Sequence, residues 1–261
     1  VEAWWSMSEK SVVRDDETLS VSLHLRMGEA SRVVKLSDPT RSVTPVELLP
    51  VIQAFDSDVA ALAEDASRRS GKTVSCKAGC GACCRQIVPI SETEARFLAK
   101  LVAKMPRDRR RGIERRFSKA LAALSKAGML DGLDQAWRTT TEAEQEQLAL
   151  DYFSLGIPCP FLEDESCGIH PDRPLSCREF LVTSPAGNCS DPSPDTIESV
   201  PFPGKPSKLM YQFGDGRGDG PRAWMPLTLA LEWAGKRPPD EVQPRRPGHE
   251  MLLDFLGKLQ T

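Results

Sequence analysis

The chain is poor in several features that would indicate a common class of protein. It has no uninterrupted apolar run close to the roughly 20 residues that a membrane-spanning helix needs. It also has no excess of basic residues, because 34 Lys and Arg stand against 37 Asp and Glu. A chain with this balance has no overall positive field that would attract nucleic acid or an anionic membrane surface. We therefore expect no membrane partner and no nucleic-acid partner.

Two further absences bear on location and chemistry. The first 20 residues lack the basic start and apolar segment of a secretory signal, so we expect a cytoplasmic location. In that reducing compartment, clustered thiols more often bind metal or perform redox chemistry than form disulfides. The chain also lacks a G-x-G-x-x-G loop or another recognisable cofactor motif. Whether it is an enzyme is left open by the sequence.

The hydrophobic pattern predicts a mainly α protein. Residues 18–27 alternate between apolar and polar and are followed by Gly28, which predicts an N-terminal β-hairpin continuing to Leu36. Amphipathic patterns then predict helices over residues 44–70, from Ser91 past Val102, and over 107–127, 141–153, 227–234 and 250–259. Thr44 and Ser91, each with Glu three residues later, predict the first two helix starts.

We expect a single helical domain with a small N-terminal β-hairpin and two irregular cysteine-rich metal-binding loops. Its expected parts are a hairpin extension over residues 1–43, a cysteine-cluster metal-binding domain over 44–206, and a C-terminal helical segment over 207–261 packed on the same domain. The cysteine-rich stretches contain much Gly, Pro and charge, which leaves little apolar surface to organise them.

Eight cysteines carry the main functional signal, and they fall in two groups that we call the first and the second cluster. The first cluster is Cys76, Cys80, Cys83 and Cys84, and the second is Cys159, Cys167, Cys177 and Cys189. All eight are candidate metal ligands. A four-thiolate zinc site and a 4Fe-4S cluster each take four cysteines and carry a similar net charge, so the sequence leaves zinc, iron and an iron-sulfur cluster open.

The spacing within the clusters suggests how they are used. Cys80 and Cys83 have the C-x2-C spacing with which one tight turn presents two thiolates, and Gly79 and Gly81 would permit positive φ there. Cys83 and Cys84 are adjacent, and adjacent side chains of an extended chain point in opposite directions. We expect them to serve different centres, each centre drawing ligands from both clusters. Cys189 is the thiol that we most expect to be dispensable.

Several polar residues flank these thiols. His170 follows Cys167 by three residues and could replace one thiolate, although a loop histidine with a backbone hydrogen bond is the simpler interpretation. Lys77, Arg85, Arg173 and Arg178 could offset thiolate charge or bind an anionic substrate, and charge balance is the simpler role.

The cysteine strings resemble a known family. Cys80-Gly-Ala-Cys83-Cys84-Arg85, Cys159-Pro-Phe-Leu and the segment from Cys167 through Arg173 and Cys177-Arg178 to Phe180 are similar to the YkgJ-type cysteine-cluster family, described as a zinc- or iron-chelating domain. The resemblance covers residues 76–189 and implies that seven of the thiols chelate metal: Cys76, Cys80, Cys83, Cys84, Cys159, Cys167 and Cys177. Here three residues rather than two separate Cys76 from Cys80.

The resemblance also supplies the alternative function. Some relatives are described as flagellin lysine N-methylases with an iron-sulfur centre, which would make this chain a metal-dependent protein-modifying enzyme. The first interpretation is a non-catalytic metal-binding protein, for which the metal is the expected partner and a protein partner is left open.

Two other stretches have simple interpretations. The six arginines between Arg107 and Arg116 predict a solvated helix face, with an RNA- or phosphate-binding face as the alternative. The segment 214–220, Gly-Asp-Gly-Arg-Gly-Asp-Gly, predicts a turn rather than a calcium site.

Overall fold

The computed structural model describes residues 5–14, 18–130, 132–133, 141–193, 195–213, 224–237 and 243–259. The segment 214–220 lies outside these residues. The described helices are α1 Pro45–Arg69, α2 Glu92–Lys104, α3 Arg107–Lys126, α4 Glu142–Ser154, α5 Leu175–Glu179, α6 Pro206–Met210, α7 Ala230–Gly235 and α8 Gly248–Leu259. The strands are β1 Trp5–Arg14, β2 Thr18–Met27, β3 Ala30–Pro39, β4 Ser42–Val43, β5 Pro89–Ile90, β6 Leu162–Glu163, β7 Ser166–Cys167, β8 Met225–Pro226 and β9 Arg246–Pro247.

The protein is mainly α with a small β part, as the sequence predicted. The division into 1–43, 44–206 and 207–261 stays a prediction. None of the described helices is both long enough and apolar enough to cross a membrane.

The N-terminal part is an antiparallel sheet in the order β1-β2-β3. The predicted hairpin is β2 and β3, which turn at Gly28 with a φ of 54°. The structure adds β1, which pairs with β2 from Trp5 opposite Met27 to Arg14 opposite Leu19. The sequence pattern did not predict β1, because Ser, Glu and Lys interrupt its alternation.

Capping boxes lie at the starts of α1 and α2, the helices whose first residues were predicted most accurately. Thr44 Oγ1 accepts a hydrogen bond from the backbone N–H of Glu47, whose carboxylate accepts one from the N–H of Thr44. Ser91 and Glu94 form the same arrangement at α2. Such a cap satisfies N–H groups that have no partner in the first helical turn, which is why both starts were predicted within a residue.

The largest apolar cluster joins the sheet to the helices. The inward face of β2 packs against the apolar side of α1, and α8 covers the same cluster with Met251, Leu252 and Phe255. Leu175 of α5 also belongs to it. The short helix that carries Cys177 is therefore anchored to the main core.

A second apolar cluster lies beside the cysteines. It contains Leu98 of α2, Phe117 of α3 and the buried Phe161, whose ring stands edge-on to Phe117 at 5.4 Å between centroids. Cys159 and Cys167 pack against this cluster. The second cysteine cluster thus has an apolar wall on one side.

Candidate metal centre

The first cluster lies on the irregular segment after α1. The N–H of Cys80 donates to the carbonyl oxygen of Lys77, and Gly79 takes a φ of 81° within this turn. Cys83 and Cys84 then lie in a 3₁₀-helix, Ala82–Arg85. The positive φ predicted for Gly79 is confirmed, because a left-handed backbone favours glycine.

Gly81 is needed for a different reason from the predicted one. Its φ is −94°, which any residue adopts. A Cβ at this position would lie 2.9 Å from Leu162 Cδ1, closer than ordinary van der Waals contact. Gly81 therefore permits the second cluster to approach the first.

The second cluster lies on short elements, as predicted. Cys159 precedes the hairpin of β6 and β7, whose turn residues Asp164 and Glu165 have φ values of 48° and 55°. Cys167 ends β7, and Cys177 is in α5. The 3₁₀-helix Ala186–Ser190 carries Cys189.

Direct contacts join the two clusters. The N–H of Cys159 donates to the carbonyl oxygen of Cys84 over 2.7 Å. Arg85 donates to both carboxylate oxygens of Glu165, over 2.7 and 3.0 Å, and to the carbonyl oxygen of Gly81 over 2.9 Å. The fold thus brings together two groups of thiols that are distant in the sequence.

A second set of contacts joins the start of the first cluster to the segment that leads to Cys189. The N–H of Ser75 donates to the carbonyl oxygen of Val182 over 2.9 Å, and its hydroxyl donates to that of Ser184 over 2.5 Å. Cys76 follows immediately, and Cys189 is 4% exposed while Cys76 is exposed. All eight thiols are free.

The adjacent thiols Cys83 and Cys84 interact with each other. A hydrogen bond from the Cys84 thiol lowers the pKa of Cys83 to about 7, against the effect of burial. The same hydrogen bond, together with burial, raises the pKa of Cys84 far above its usual value. The prediction that these side chains point in opposite directions assumed an extended chain, and the 3₁₀-helix corrects that assumption.

Burial keeps the thiols of the second cluster protonated in the absence of metal. Burial, with a smaller contribution from the charge of Cys167, raises the pKa of Cys159 to about 12. Burial also raises the pKa of Cys177 well above its usual value. The charges of Cys159, Cys83 and Cys167 add to the effect on Cys177. Thiolates in this group would therefore repel one another unless a cation is present.

Cys189 has its electrostatic neighbours in the first cluster. Burial, together with the charges of Cys76, Cys83 and Cys80, raises its pKa to about 11. Burial also raises the pKa of Cys76, as do the charges of Cys83 and Cys80. Cys189 thus lies near thiols more than 100 residues earlier in the chain.

The thiols are near one another without being in coordinating positions. Among the described residues, no three His, Cys, Asp or Glu side chains are arranged as a metal-holding group. The donor chemistry nevertheless fits zinc, iron or an iron-sulfur cluster, all of which take cysteine thiolates. The backbone gathers the donors, and binding would require their side chains to turn toward the metal.

His170 is engaged elsewhere. Its Nε2 atom accepts a hydrogen bond from Arg173 Nη1 over 2.8 Å, since a guanidinium only donates. Burial and the charges of Arg173 and Arg178 lower the pKa of His170, which favours the neutral ring. The partner is a side chain rather than the backbone group that the simpler interpretation expected.

Two of the candidate arginines form the cationic side of the thiol group. Arg178 is 7% exposed and donates to Ser57 Oγ and to the carbonyl oxygens of Arg173 and Pro171. Burial raises the pKa of Cys167, and the charges of Arg173 and Arg178 oppose that rise. Both arginines therefore stabilise thiolate charge.

The arginine-rich face of α3 is not wholly solvated, contrary to the prediction. Arg109 donates to the carbonyl oxygen of Gly168 over 2.6 Å. Arg116 donates to the carbonyl oxygen of Pro160 over 2.5 Å and to Glu163 over 2.7 Å. These two arginines hold the segment from Pro160 to Gly168, whereas others on α3, such as Arg111 and Arg115, are exposed.

Asp56 is a buried acid that the sequence analysis missed. It is fully buried, and neither carboxylate oxygen has a hydrogen-bond partner in the described part of the chain. Burial raises its pKa well above the usual value, the charge of Glu179 adds to the rise, and Arg178 opposes it. Its burial could have been predicted from its position, because it follows Ile52 by four residues within the apolar stripe of α1.

The cavity of about 410 Å³ that the structure contains at the end of α1 lies away from the thiols. Its wall includes Met27, Glu29, Ala63, Arg69 and Pro201, and none of the cysteines lines it.

Comparison with known proteins identifies the cysteine-bearing part of the chain. Neither the curated proteins nor the solved structures contain a match to it. Residues 75–196 match the family CxxCxxCC, described as a putative zinc- or iron-chelating domain. The match contains all eight cysteines, both arginines beside them and the helices α2 to α5. The segment 75–196 is thus similar to a cysteine-cluster domain described as zinc- or iron-chelating, in agreement with the resemblance of the cysteine strings.

Proposed function

We propose that this protein holds zinc or iron through the thiols of both cysteine clusters. The observation that carries the proposal is the contact between Cys84 and Cys159, which places the end of the first cluster against the start of the second. Metal-binding domains of this family give the chemical class, and the contact supports a centre to which both clusters contribute.

The protonation of the thiols supports a site that is completed by metal. Burial raises the pKa of Cys76, Cys159 and Cys177, so that these groups are thiols in the unloaded protein. A metal ion displaces the protons and relieves the repulsion among the resulting thiolates. The free energy of metal binding then stabilises the surrounding loops, which contain little apolar surface.

The charges around the site suit an anionic thiolate centre. A four-thiolate zinc site or a 4Fe-4S cluster carries a net charge of about −2. Arg173 and Arg178 lie within electrostatic reach of the thiols, and Arg178 is buried and rigidly hydrogen-bonded. The two guanidinium groups would offset the charge of one such centre.

The proposal concerns metal holding by the thiols and does not use the cavity. The cavity of about 410 Å³ is lined by residues of the sheet and of α1 rather than by the thiols. No contact in the described residues favours the lysine N-methylase-like alternative, so the proposal does not extend to it.

Elemental analysis with an ultraviolet-visible spectrum of anaerobically purified protein tests the proposal. Four irons per chain with broad absorption near about 400 nm would indicate a 4Fe-4S centre, and colourless protein with one or two zinc ions would indicate thiolate zinc. Protein without either metal, with eight titratable thiols that take up neither Zn²⁺ nor Fe²⁺, would overturn it.

A further inference from the structure

We propose that the eight thiols form two separate four-thiol metal sites, one from Cys76, Cys80, Cys83 and Cys189 and the other from Cys84, Cys159, Cys167 and Cys177. This inference rests on the metal binding proposed above and adds the grouping of the ligands. It also replaces the expectation that Cys189 is dispensable. We call the set with Cys76 and Cys189 the outer site and the set with Cys84 and Cys159 the inner site.

The backbone assembles the outer site from two ends of the matched domain. Hydrogen bonds from Ser75 to Val182 and Ser184 place Cys76 beside the segment that ends at Cys189. The 3₁₀-helix Ala82–Arg85 packs against the 3₁₀-helix Ala186–Ser190. These contacts bring Cys83 and Cys189 onto facing turns.

The loop that carries Cys189 is itself fastened. Asn188 Nδ2 donates to the carbonyl oxygen of Thr196 over 2.8 Å, and the N–H of Glu198 donates to Ser184 Oγ over 3.1 Å. Cys189 is 4% exposed on this loop. Cys189 is therefore a buried thiol on a fastened loop that packs against the 3₁₀-helix of Cys83, and we assign it to the outer site on this ground.

The backbone assembles the inner site around Cys84. The N–H of Cys159 binds the carbonyl oxygen of Cys84, and the hairpin of β6 and β7 then carries the chain to Cys167. On the other side, Ser176 Oγ donates to the carbonyl oxygen of Pro89, five residues after Cys84. That bond holds α5, and with it Cys177, against the segment that leaves the first cluster.

Cys83 and Cys84 mark the boundary between the two sites. In a 3₁₀-helix, successive side chains diverge by about 120°, because three residues complete a turn. Neighbouring thiols on such a turn can face different groups, and because Cys83 and Cys84 are adjacent in the chain the two sites are immediate neighbours.

The surroundings of the two sites differ. Cys159 and Cys167 pack against the apolar cluster around Phe161, whereas Cys76 of the outer site is exposed. A metal enclosed by apolar side chains exchanges slowly with a chelator, and one with an exposed ligand exchanges faster. The outer site is therefore the exchangeable site, and the inner site holds its metal more firmly.

Pairs of substitutions test the grouping, with Co²⁺ as the probe because its thiolate complexes absorb visible light. We expect the reduced full chain to bind two Co²⁺ ions, and Cys189→Ser and Cys177→Ser each to bind one. The double variant C76S/C189S, within the outer site, should still bind one. The double variant C177S/C189S, across the two sites, should bind none.

The outcomes distinguish failure of the two-site grouping from failure of the proposed metal binding. A wild-type chain that binds no metal contradicts the proposed function. A wild-type chain that binds metal, together with a Cys189→Ser variant that loses none of it, overturns the grouping alone. Complete loss of Co²⁺ binding in each variant with one cysteine replaced would indicate one centre shared by all the ligands. That result would also overturn the grouping into two sites.

A measurement on the wild-type chain tests the two-site grouping even if a variant fails to fold. Extraction of bound Co²⁺ by an excess of chelator should proceed in two phases of equal amplitude, the faster from the outer site. Cys189→Ser should remove the fast phase and retain the slow one. A single phase in the wild type would contradict two sites with different exposure.

Discussion

The backbone N–H of Cys159 donates to the carbonyl oxygen of Cys84 over 2.7 Å, and this hydrogen bond joins the two cysteine clusters. It uses main-chain atoms and leaves both thiols free for a metal. The arrangement explains why the two clusters can act together although α2, α3 and α4 separate them in the sequence. Four changes to the chain test how this arrangement is held.

Cys83→Ser should lower the bound metal by at least one equivalent per chain and lower the melting temperature. Serine keeps the size of the side chain and removes the soft donor, and the free energy of metal binding contributes to folding. Metal analysis and thermal unfolding measure both effects. Ser190→Ala, an exposed position next to the second cluster, serves as the control. Unchanged metal content in Cys83→Ser would refute its assignment as a ligand.

Gly81→Ala should separate the two clusters. A methyl group here would lie 2.9 Å from Leu162 Cδ1 and 3.2 Å from Glu165 Cα, so the Leu162 side chain and the turn at Glu165 must shift, at a cost of about 1 to 3 kcal/mol in unfolding free energy. Urea unfolding and metal affinity should both fall. Gly187→Ala is the matched control, since its Cβ would have no neighbour within 4 Å. If both variants have the same urea midpoint and the same metal affinity, the close approach at Gly81 contributes neither to stability nor to metal binding.

Arg116→Gln should loosen the segment that carries Cys159 and Cys167. Loss of the bonds to Pro160 and Glu163 should cost about 1 kcal/mol, since the side chain is partly exposed. Release of metal to a chelator should become about fivefold faster, as expected for that free energy. Arg115→Gln, exposed on the same helix, is the control and should release metal at the wild-type rate. A rate that does not differ from this control would argue against the role of Arg116.

Asp56→Asn should change how stability depends on pH. Burial raises the pKa of Asp56 above the usual 3.8. Below that value both the folded and the unfolded chain hold the proton. As pH rises, the unfolded chain loses its proton first, so the wild-type stability falls until the folded-state pKa is passed. The amide cannot ionise, and the variant should therefore gain stability relative to the wild type between acid and neutral pH.

Urea midpoints of both proteins across this range measure the difference. Glu64→Gln, an exposed change on the same helix, should follow the wild type. Parallel pH profiles for Asp56→Asn and the wild type would mean that Asp56 is ionised or solvated in the folded protein.

The local elements of this protein could be predicted because their signals lie close together in the sequence. The capping boxes at Thr44 and Ser91 are complete within four residues, and the apolar stripes of α1 and α3 repeat along each helix. The weakly alternating β1 was missed, because it is held by pairing with β2 rather than by its own pattern.

The partners of the polar side chains could not be predicted in the same way. Arg116 has the same composition around it as the exposed Arg115, and only the position of the second cluster gives it acceptors. Asp56 is one acid in an apolar stripe, and its proximity to Arg178 depends on where α5 packs against α1.

The sequence by itself determined the mainly α class, the starts of the principal helices and the eight thiols with their preference for zinc or iron. These properties follow from the chemistry of each residue and from contacts within a few residues. Only the tertiary structure decided that Cys84 meets Cys159, that the Ser75 backbone next to Cys76 meets the segment leading to Cys189, and that Gly81 lies close against Leu162 and Glu165. Such contacts join segments far apart in the chain, and their geometry depends on how the helices between them pack.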